Sequence, residues 1–233
     1  MKVLIVHAHP EPASFNGALT AAAQNALLHA GHEVRISDLY AQRFDPVSDR
    51  RNFIGAKDPS YFKQQVEEMH ASATNAFSPE ITREMESLFW CDTLIFQFPL
   101  WWFSMPAILK GWVDRVFASG KVYGGGRWYD KGTQAGKRAM CSVTIGGPAS
   151  MYEPDGLAGD IHSILFPINH GIFAFTGFAA VEPFLVHAPA RMSAEERAVA
   201  IKTYAERVVR IPELPTIQYP PLDRYDAAFR LRK

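Results

Sequence analysis

The sequence predicts an α/β fold built on a doubly wound, five-stranded parallel sheet. Five short strand-like runs, most of them continuously apolar, recur along the chain, as strands buried on both faces require. Between them lie longer segments with apolar residues at helical spacing, several of them opened by Ser or Pro. Three of the runs end in unusual chemistry: HAHPEPASFN, FPLWWF and TIGGPASMY. In a doubly wound sheet such ends open onto one crevice, so topology alone brings these three segments together.

Each element follows from local chemistry. Residues 2–8 are rich in Val and Ile and read as the first strand. The run is too short for a membrane span and carries no cleavage site, so it is not expected to be a leader. Pro10 and Pro12 stop strand and helix alike. Ser14 then caps a helix through Leu19, Ala23 and Leu27 that ends at Gly31. Residues 33–39, EVRISDL, alternate as a second strand, and the strand–helix–strand order makes the first two strands parallel neighbours. Residues 40–78 are polar and weakly periodic, with one helix expected near 60–70. A helix over 79–89, capped by Ser78, leads into a third strand at 93–98.

Pro99 breaks that strand and places Trp101, Trp102 and Phe103 in a loop. A helix opens at Pro106, and residues 120–136 form a glycine-rich loop carrying Tyr123, Trp128 and Tyr129. Residues 138–145 are the fourth strand, followed by Gly146-Gly147-Pro148. Residues 151–177 are mixed, with a helix near 159–165 interrupted before Pro167, and residues 179–186 form the fifth strand. Residues 193–210 predict a capped amphipathic helix with Ala198, Ile201, Tyr204 and Val208 on one face. Four prolines from Pro212 to Pro221 predict an extended tail on another surface, giving one domain over residues 1–210 and a tail over 211–233.

Composition narrows the partners. Lys+Arg and Asp+Glu are both 24, which favours neither nucleic acid nor an anionic membrane, and no stable membrane insertion is expected. Cys91 and Cys141 lie at what read as apolar strand edges without CxxC spacing, so the thiols are expected to be reduced and the protein cytoplasmic. No metal site is expected.

The strand-end loops each admit two readings. Three large aromatics beyond a strand end suit a shelf for a planar cofactor, or equally the closing of a core or subunit interface. Ser14, Phe15 and Asn16 open a helix whose free amides and dipole attract a phosphate, with His9 as a further contact; the alternative is an ordinary cap beside a structural histidine. Neither GxGxxG nor GxxxxGK[ST] is present. Gly146-Gly147 can point amides at an anionic ring edge or can simply form a turn. Tyr152 can donate to an oxyanion or can be a packing residue.

Taken together, the blocks HAHPEPASFNGAL, IFQFPLWWFSMPAILKGWVDRVF, YDKG, TIGGPASMY and FPINHGIFAFTGF resemble the NAD(P)H:quinone oxidoreductase (DT-diaphorase) family of flavodoxin-like flavoproteins. The resemblance runs from the first strand to about Glu182 and is weaker over 40–78 and the tail. It implies a homodimer with a flavin at each subunit interface, FAD with FMN as the alternative. It also implies two-electron, ping-pong hydride transfer from NADH or NADPH through flavin N5 to quinones, with azo or nitro compounds as further acceptors. Carried over residue by residue, it places His9, Ser14, Phe15 and Asn16 at the flavin's phosphate side. Pro99, Leu100, Trp101, Trp102 and Phe103 then lie against the isoalloxazine, with Thr144, Ile145, Gly146 and Gly147 along its polar edge. Tyr152 matches the tyrosine that stabilises the reduced flavin. Trp102, Tyr123 and Phe175 match walls of the substrate pocket, the last two supplied by the other subunit.

The chain departs from that pattern at Ala158, where the family carries a relay histidine, and at Gly125, where the eukaryotic enzymes carry a second pocket tyrosine. His162, one helical turn beyond Ala158, is the candidate substitute that spacing offers, although a core or solvent-facing role is the first expectation for it. A second class of protein shares the fold and a similar aromatic loop: the ancillary regulatory subunit of glutathione-gated potassium efflux systems. A single-electron carrier fits less well, since such carriers tend to be strongly acidic and this chain is neutral.

Overall fold

A computed structural model describes residues 1–232. Its five-stranded parallel sheet has the order β2-β1-β3-β4-β5. The strands are β1 (Lys2–His7), β2 (Glu33–Asp38), β3 (Thr93–Pro99), β4 (Arg138–Ile145) and β5 (Ala179–His187). Every residue of β3 is buried, as expected of a strand covered on both faces. Within β1 the apolar run still divides by side. Leu4 and Val6 join one core layer with Phe96, Phe98, Trp112 and Phe173, while Val3 and Ile5 join the other with Leu19, Leu27, Tyr204 and Val208.

Two helices, α1 (Phe15–His29) and α6 (Ala194–Val209), cover the second face and pack on each other. Ser193 and Glu196 close a capping box, each side chain accepting the other's backbone amide. On the other face lie α2 (Gln64–Thr74), α3 (Pro79–Trp90), α4 (Ala107–Val116) and α5 (Ile161–Ile168). The helix expected near 60–70 begins at Gln64 and ends at Asn75, whose left-handed φ of 54° stops it. Ser78 makes no side-chain cap bond; Pro79 follows it at the first turn and removes one amide that a cap would serve.

The expected break before Pro167 does not occur. The helix runs through Pro167 and widens at once into a π-helical segment, Asn169–Ala174, which accommodates the lost donor. Cys141 sits inside β4 rather than at a strand edge, and Cys91 caps α3; both are free and buried.

The polar stretch before α3 is held by buried charges. Arg115 of α4 donates to Asn52 Oδ1 at 2.7 Å and to Glu80 Oε2 at 2.8 Å. The Glu67 carboxylate accepts the amides of Lys57 and Asp58, and that of Glu68 accepts the amide of Ser119. The tail is not simply extended. It forms short 3-10 turns at Ile211–Glu213 and Leu222–Arg224 and lies along the exposed edge of β5, where Ile217 N donates to Ala180 O. That edge position is also where Pro183 is tolerated, beside a register shift against β4.

Candidate active site

The order 2-1-3-4-5 reverses between β1 and β3, and ligands of such sheets bind in the crevice beyond that switch point. Three loops meet there, and His9 and Trp101 touch across it, with ring centroids 6.5 Å apart.

The first loop is tightly tied. Ser14 N–H donates to Glu11 O, Ala13 N–H donates to the Glu11 carboxylate, and Ser14 Oγ accepts the Gly17 amide at 3.1 Å. Ser14 is therefore a helix cap, with its side chain engaged. The amides of Phe15 and Asn16 have no acceptor among the described residues and sit at the positive end of α1. His9 Nδ1 lies 3.0 Å from the Glu11 amide and 3.2 Å from the Glu11 carbonyl oxygen, and Nε2 has no partner among the described residues. At Gly17 an added Cβ would lie 2.1 Å from the Pro12 carbonyl oxygen, so the loop closes on the helix only over glycine.

Asn16 turns its side chain inward. Its Nδ2 donates to Thr144 Oγ1 at 2.7 Å and its Oδ1 accepts from Gln97 Nε2 at 2.7 Å, all three groups buried. Asn16 and Thr144 thus tie the three loops together, and only the backbone of Asn16 is free for a ligand. The Thr144 carbonyl is likewise used, by the amide of Leu100, and that of Ile145 by the amide of Ala188. Ile145 contributes a buried side chain, and Pro99 is buried at the end of β3.

The second loop is a strained hairpin. Trp101 and Ser104 exchange both backbone hydrogen bonds, at 3.0 Å each, around Trp102 and Phe103 with φ of 50° and 58°. Two consecutive left-handed residues define a type I′ turn, which normally takes Asn-Gly. Bulky side chains in that conformation cost of order 1–3 kcal/mol each, and such strain collects at functional sites. The turn holds Trp102 96% exposed and Phe103 55% exposed, an apolar shelf facing outward.

The third loop supplies donors. Gly146 and Gly147 amides have no acceptor among the described residues. A Cβ at Gly147 would lie 3.0 Å from Tyr152 Cε2 and 3.1 Å from Met151 Sδ, so the tyrosine packs directly on that glycine. At Gly146 a side chain would meet nothing within 4 Å.

Tyr123 and Phe175 lie elsewhere in the chain, with ring centroids 5.8 Å apart. They line a cavity of about 430 Å³ with Gln65, Glu68 and Asp114. Phe175 also borders a second cavity of about 360 Å³ with Trp128, Tyr129 and the tail's Tyr225 and Phe229. No residue of the aromatic shelf lines either one. Gly124, Gly125 and Gly126 carry φ of 103°, 62° and 80°, so the loop that presents Tyr123 needs consecutive glycines.

His162 is not brought to Tyr152. Its Nδ1 is 3.7 Å from Glu182 on the outer edge of the sheet. The imidazole beside Tyr152 is that of His187, the last residue of β5, with ring centroids 5.9 Å apart. His187 and Gln97 were both missed in the sequence reading. The strand-end rule that picked out the other loops applies equally to His187, whereas nothing in the sequence marks Gln97 as more than a polar residue inside a strand.

These features define a flavodoxin-like crevice, and the chain belongs to the flavodoxin-like fold family, whose model matches residues 1–210. Relatives spanning most of the chain are named as quinone dehydrogenases. NAD(P)H dehydrogenase [quinone] 1 of Cavia porcellus is 40% identical over 230 residues, covering 98% of this chain and 84% of the relative. Ribosyldihydronicotinamide dehydrogenase [quinone] of Pongo abelii is 42% identical over 211 residues, covering 90% and 91%. A Klebsiella pneumoniae structure provisionally described as a quinone reductase superposes with a TM-score of 0.96 at 41% identity, covering 100% of this chain and 94% of that one.

Proposed function

We infer that this chain is an NAD(P)H dehydrogenase that reduces quinones by two-electron transfer through a bound flavin. The observation that carries this reading is the cradle itself: an outward aromatic shelf held in a strained turn, opposed by free amides at two loops. The residues present fit a flavin. The amides of Phe15 and Asn16 with His9 Nε2 suit its phosphate, the Trp101–Phe103 turn its planar ring, and the Gly146 and Gly147 amides its polar edge. A bound flavin supplies hydride acceptance and donation at one site, which suits a nicotinamide and a quinone arriving in turn.

The chain's own residues then do three things. The shelf and the two glycines orient the ring, and the Asn16–Gln97–Thr144 network keeps the three loops in register. Tyr152, packed on Gly147, presents its hydroxyl to developing negative charge and can hold or release a proton at Oη. FAD is the flavin proposed, on the resemblance above, with FMN the alternative.

A homodimer is proposed because the shelf is open while the Tyr123–Phe175 wall lies on a different surface. In a two-fold assembly one chain's wall closes over the other's shelf. Trp102, Tyr123 and Phe175 then bound the substrate space. Residues 1–210 form the flavin-binding domain, and residues 211–233 are a tail whose described part joins its sheet edge at Thr216 and Ile217. A cytoplasmic location is supported by two free, buried thiols. Among the described residues no helix is long and apolar enough to cross a membrane. The potassium-efflux reading is not adopted, since relatives spanning most of the chain are themselves named quinone dehydrogenases. A mixed dimer tests the assembly. Pairing a Trp102→Ala chain with a Tyr123→Ala, Phe175→Ala chain should restore one working site, and no restoration refutes the shared pocket.

A further inference from the structure

We propose that His187 is the proton-relay partner of Tyr152, acting through the tyrosine hydroxyl at the ends of β4 and β5. The proposal rests on the flavin-dependent reading above. Three observations converge on this pair. In register, His187 stands beside Ile145, so its ring emerges next to Gly146 and Gly147 rather than on the sheet's flank. Its ring centroid is 5.9 Å from that of Tyr152, with planes tilted by 46°. Its Nδ1 is buried and has no hydrogen-bond partner, although a buried imidazole nitrogen ordinarily finds one.

The His187 ring is therefore set between the Gly147 backbone and the Tyr152 ring, with Nδ1 left open to a further partner. Burial lowers the pKa of His187, while the Gly147 backbone beside it favours the charged form. The burial effect is the larger of the two, so the ring releases a bound proton more readily than a free imidazole. No direct hydrogen bond joins the two rings, so the relay requires a bridging water or a rotation of one ring once a ligand is seated.

The proton bookkeeping balances. The Tyr152 O–H bond breaks as its proton goes to an oxyanion of the two-electron-reduced acceptor, the electrons having come from the nicotinamide. The N–H bond of the His187 imidazolium then breaks and the Tyr152 O–H bond re-forms. His187 regains its proton from solvent. Because it works through Tyr152, His187 is a positioning residue rather than a catalytic one. Its location also explains how the chain functions with Ala158 in place of a relay histidine and with His162 committed to Glu182.

The test has a part that needs no turnover. Proton NMR titration of the purified protein should show the His187 pKa displaced by at least about half a unit in Tyr152→Phe, with the other histidines unmoved. The kinetic part uses His187→Gln, Tyr152→Phe and the double variant. His187→Gln should lower kcat about tenfold to 100-fold with KM little changed, and the double variant should lose no more than Tyr152→Phe alone. Added imidazole should restore much of the activity of His187→Ala, and His162→Gln should behave as wild type. An unmoved His187 titration, losses that multiply, or a His187→Gln enzyme with wild-type kcat would each overturn the pairing. A wild-type protein that takes no flavin fails the functional reading instead, and the titration still decides whether the two rings exchange protons.

Discussion

Replacing Trp102 with Asn isolates the strain stored in the aromatic turn. Trp102 sits at φ 50° and is 96% exposed, so removing its indole forfeits almost no buried area in the flavin-free protein. Left-handed backbone costs a bulky residue of order 1–3 kcal/mol, whereas Asn adopts it readily and is preferred at the first position of a type I′ turn. The flavin-free variant should therefore be more stable by about 1 kcal/mol, which for a chain of this size raises Tm by roughly 2–4 °C. The same change removes one face of the stacking shelf. Aromatic pairing contributes about 0.5–1.5 kcal/mol beyond area, so flavin affinity should weaken about two- to tenfold. Urea titration at fixed protein concentration gives the stability, and flavin fluorescence quenching gives the affinity. A destabilised variant would mean that the indole is packed in the free protein. An unchanged affinity would mean that it does not meet the ring. Either result refutes the argument that the turn is held strained for ligand binding.

Three further changes probe the frame around the site. Asn16→Ala leaves buried Gln97 Nε2 and Thr144 Oγ1 without their partner, and chemical denaturation should register a loss of about 2–4 kcal/mol. Arg115→Met strips Asn52, Glu80 and the Asp45 carbonyl of a shared donor, and should cost about 3 kcal/mol while opening residues 45–58 to protease; a protected segment would contradict the anchoring role. The third change is in pH. Burial lowers the pKa of His7 below its ordinary 6.5, partly opposed by Asp38, so the unfolded chain binds a proton before the folded one does. Stability should be full above about pH 6.5 and decline as pH falls below it, and His7→Gln, tested by thermal melts across that range, should flatten the decline. An acid limb identical in the two proteins would place the titration elsewhere.

Much of the fold was legible because buried parallel strands are apolar for physical reasons that need no context. All five strand-like runs coincide with strands to within about a residue, and the convergence of three strand ends followed from topology. The stretch over 40–78 was harder for the opposite reason. Its order comes from buried polar groups such as Glu67, Glu68 and Asn52, whose partners lie far along the chain, so no local period announces them. Pro167 misled because a widened helical turn can absorb what a regular helix cannot. At the site, the glycines, aromatics and Tyr152 stood out by residue type. Their full roles did not: Asn16 reads as a ligand contact, and the sequence does not show that its side chain is also the internal tie between loops. His187 escaped notice because one histidine at a strand end carries no motif, and its meaning appears only when the Tyr152 ring is set beside it.

The central claim is that the open crevice beyond β1 and β3 holds a flavin that nicotinamides reduce and quinones reoxidise. Its most direct test is the visible spectrum of the purified protein under anaerobic conditions, with the flavin released and identified by mass. The account predicts a yellow protein with about one flavin per chain, bleached by NADH or NADPH and restored by a quinone. A folded, colourless protein that takes up neither FAD nor FMN would contradict it.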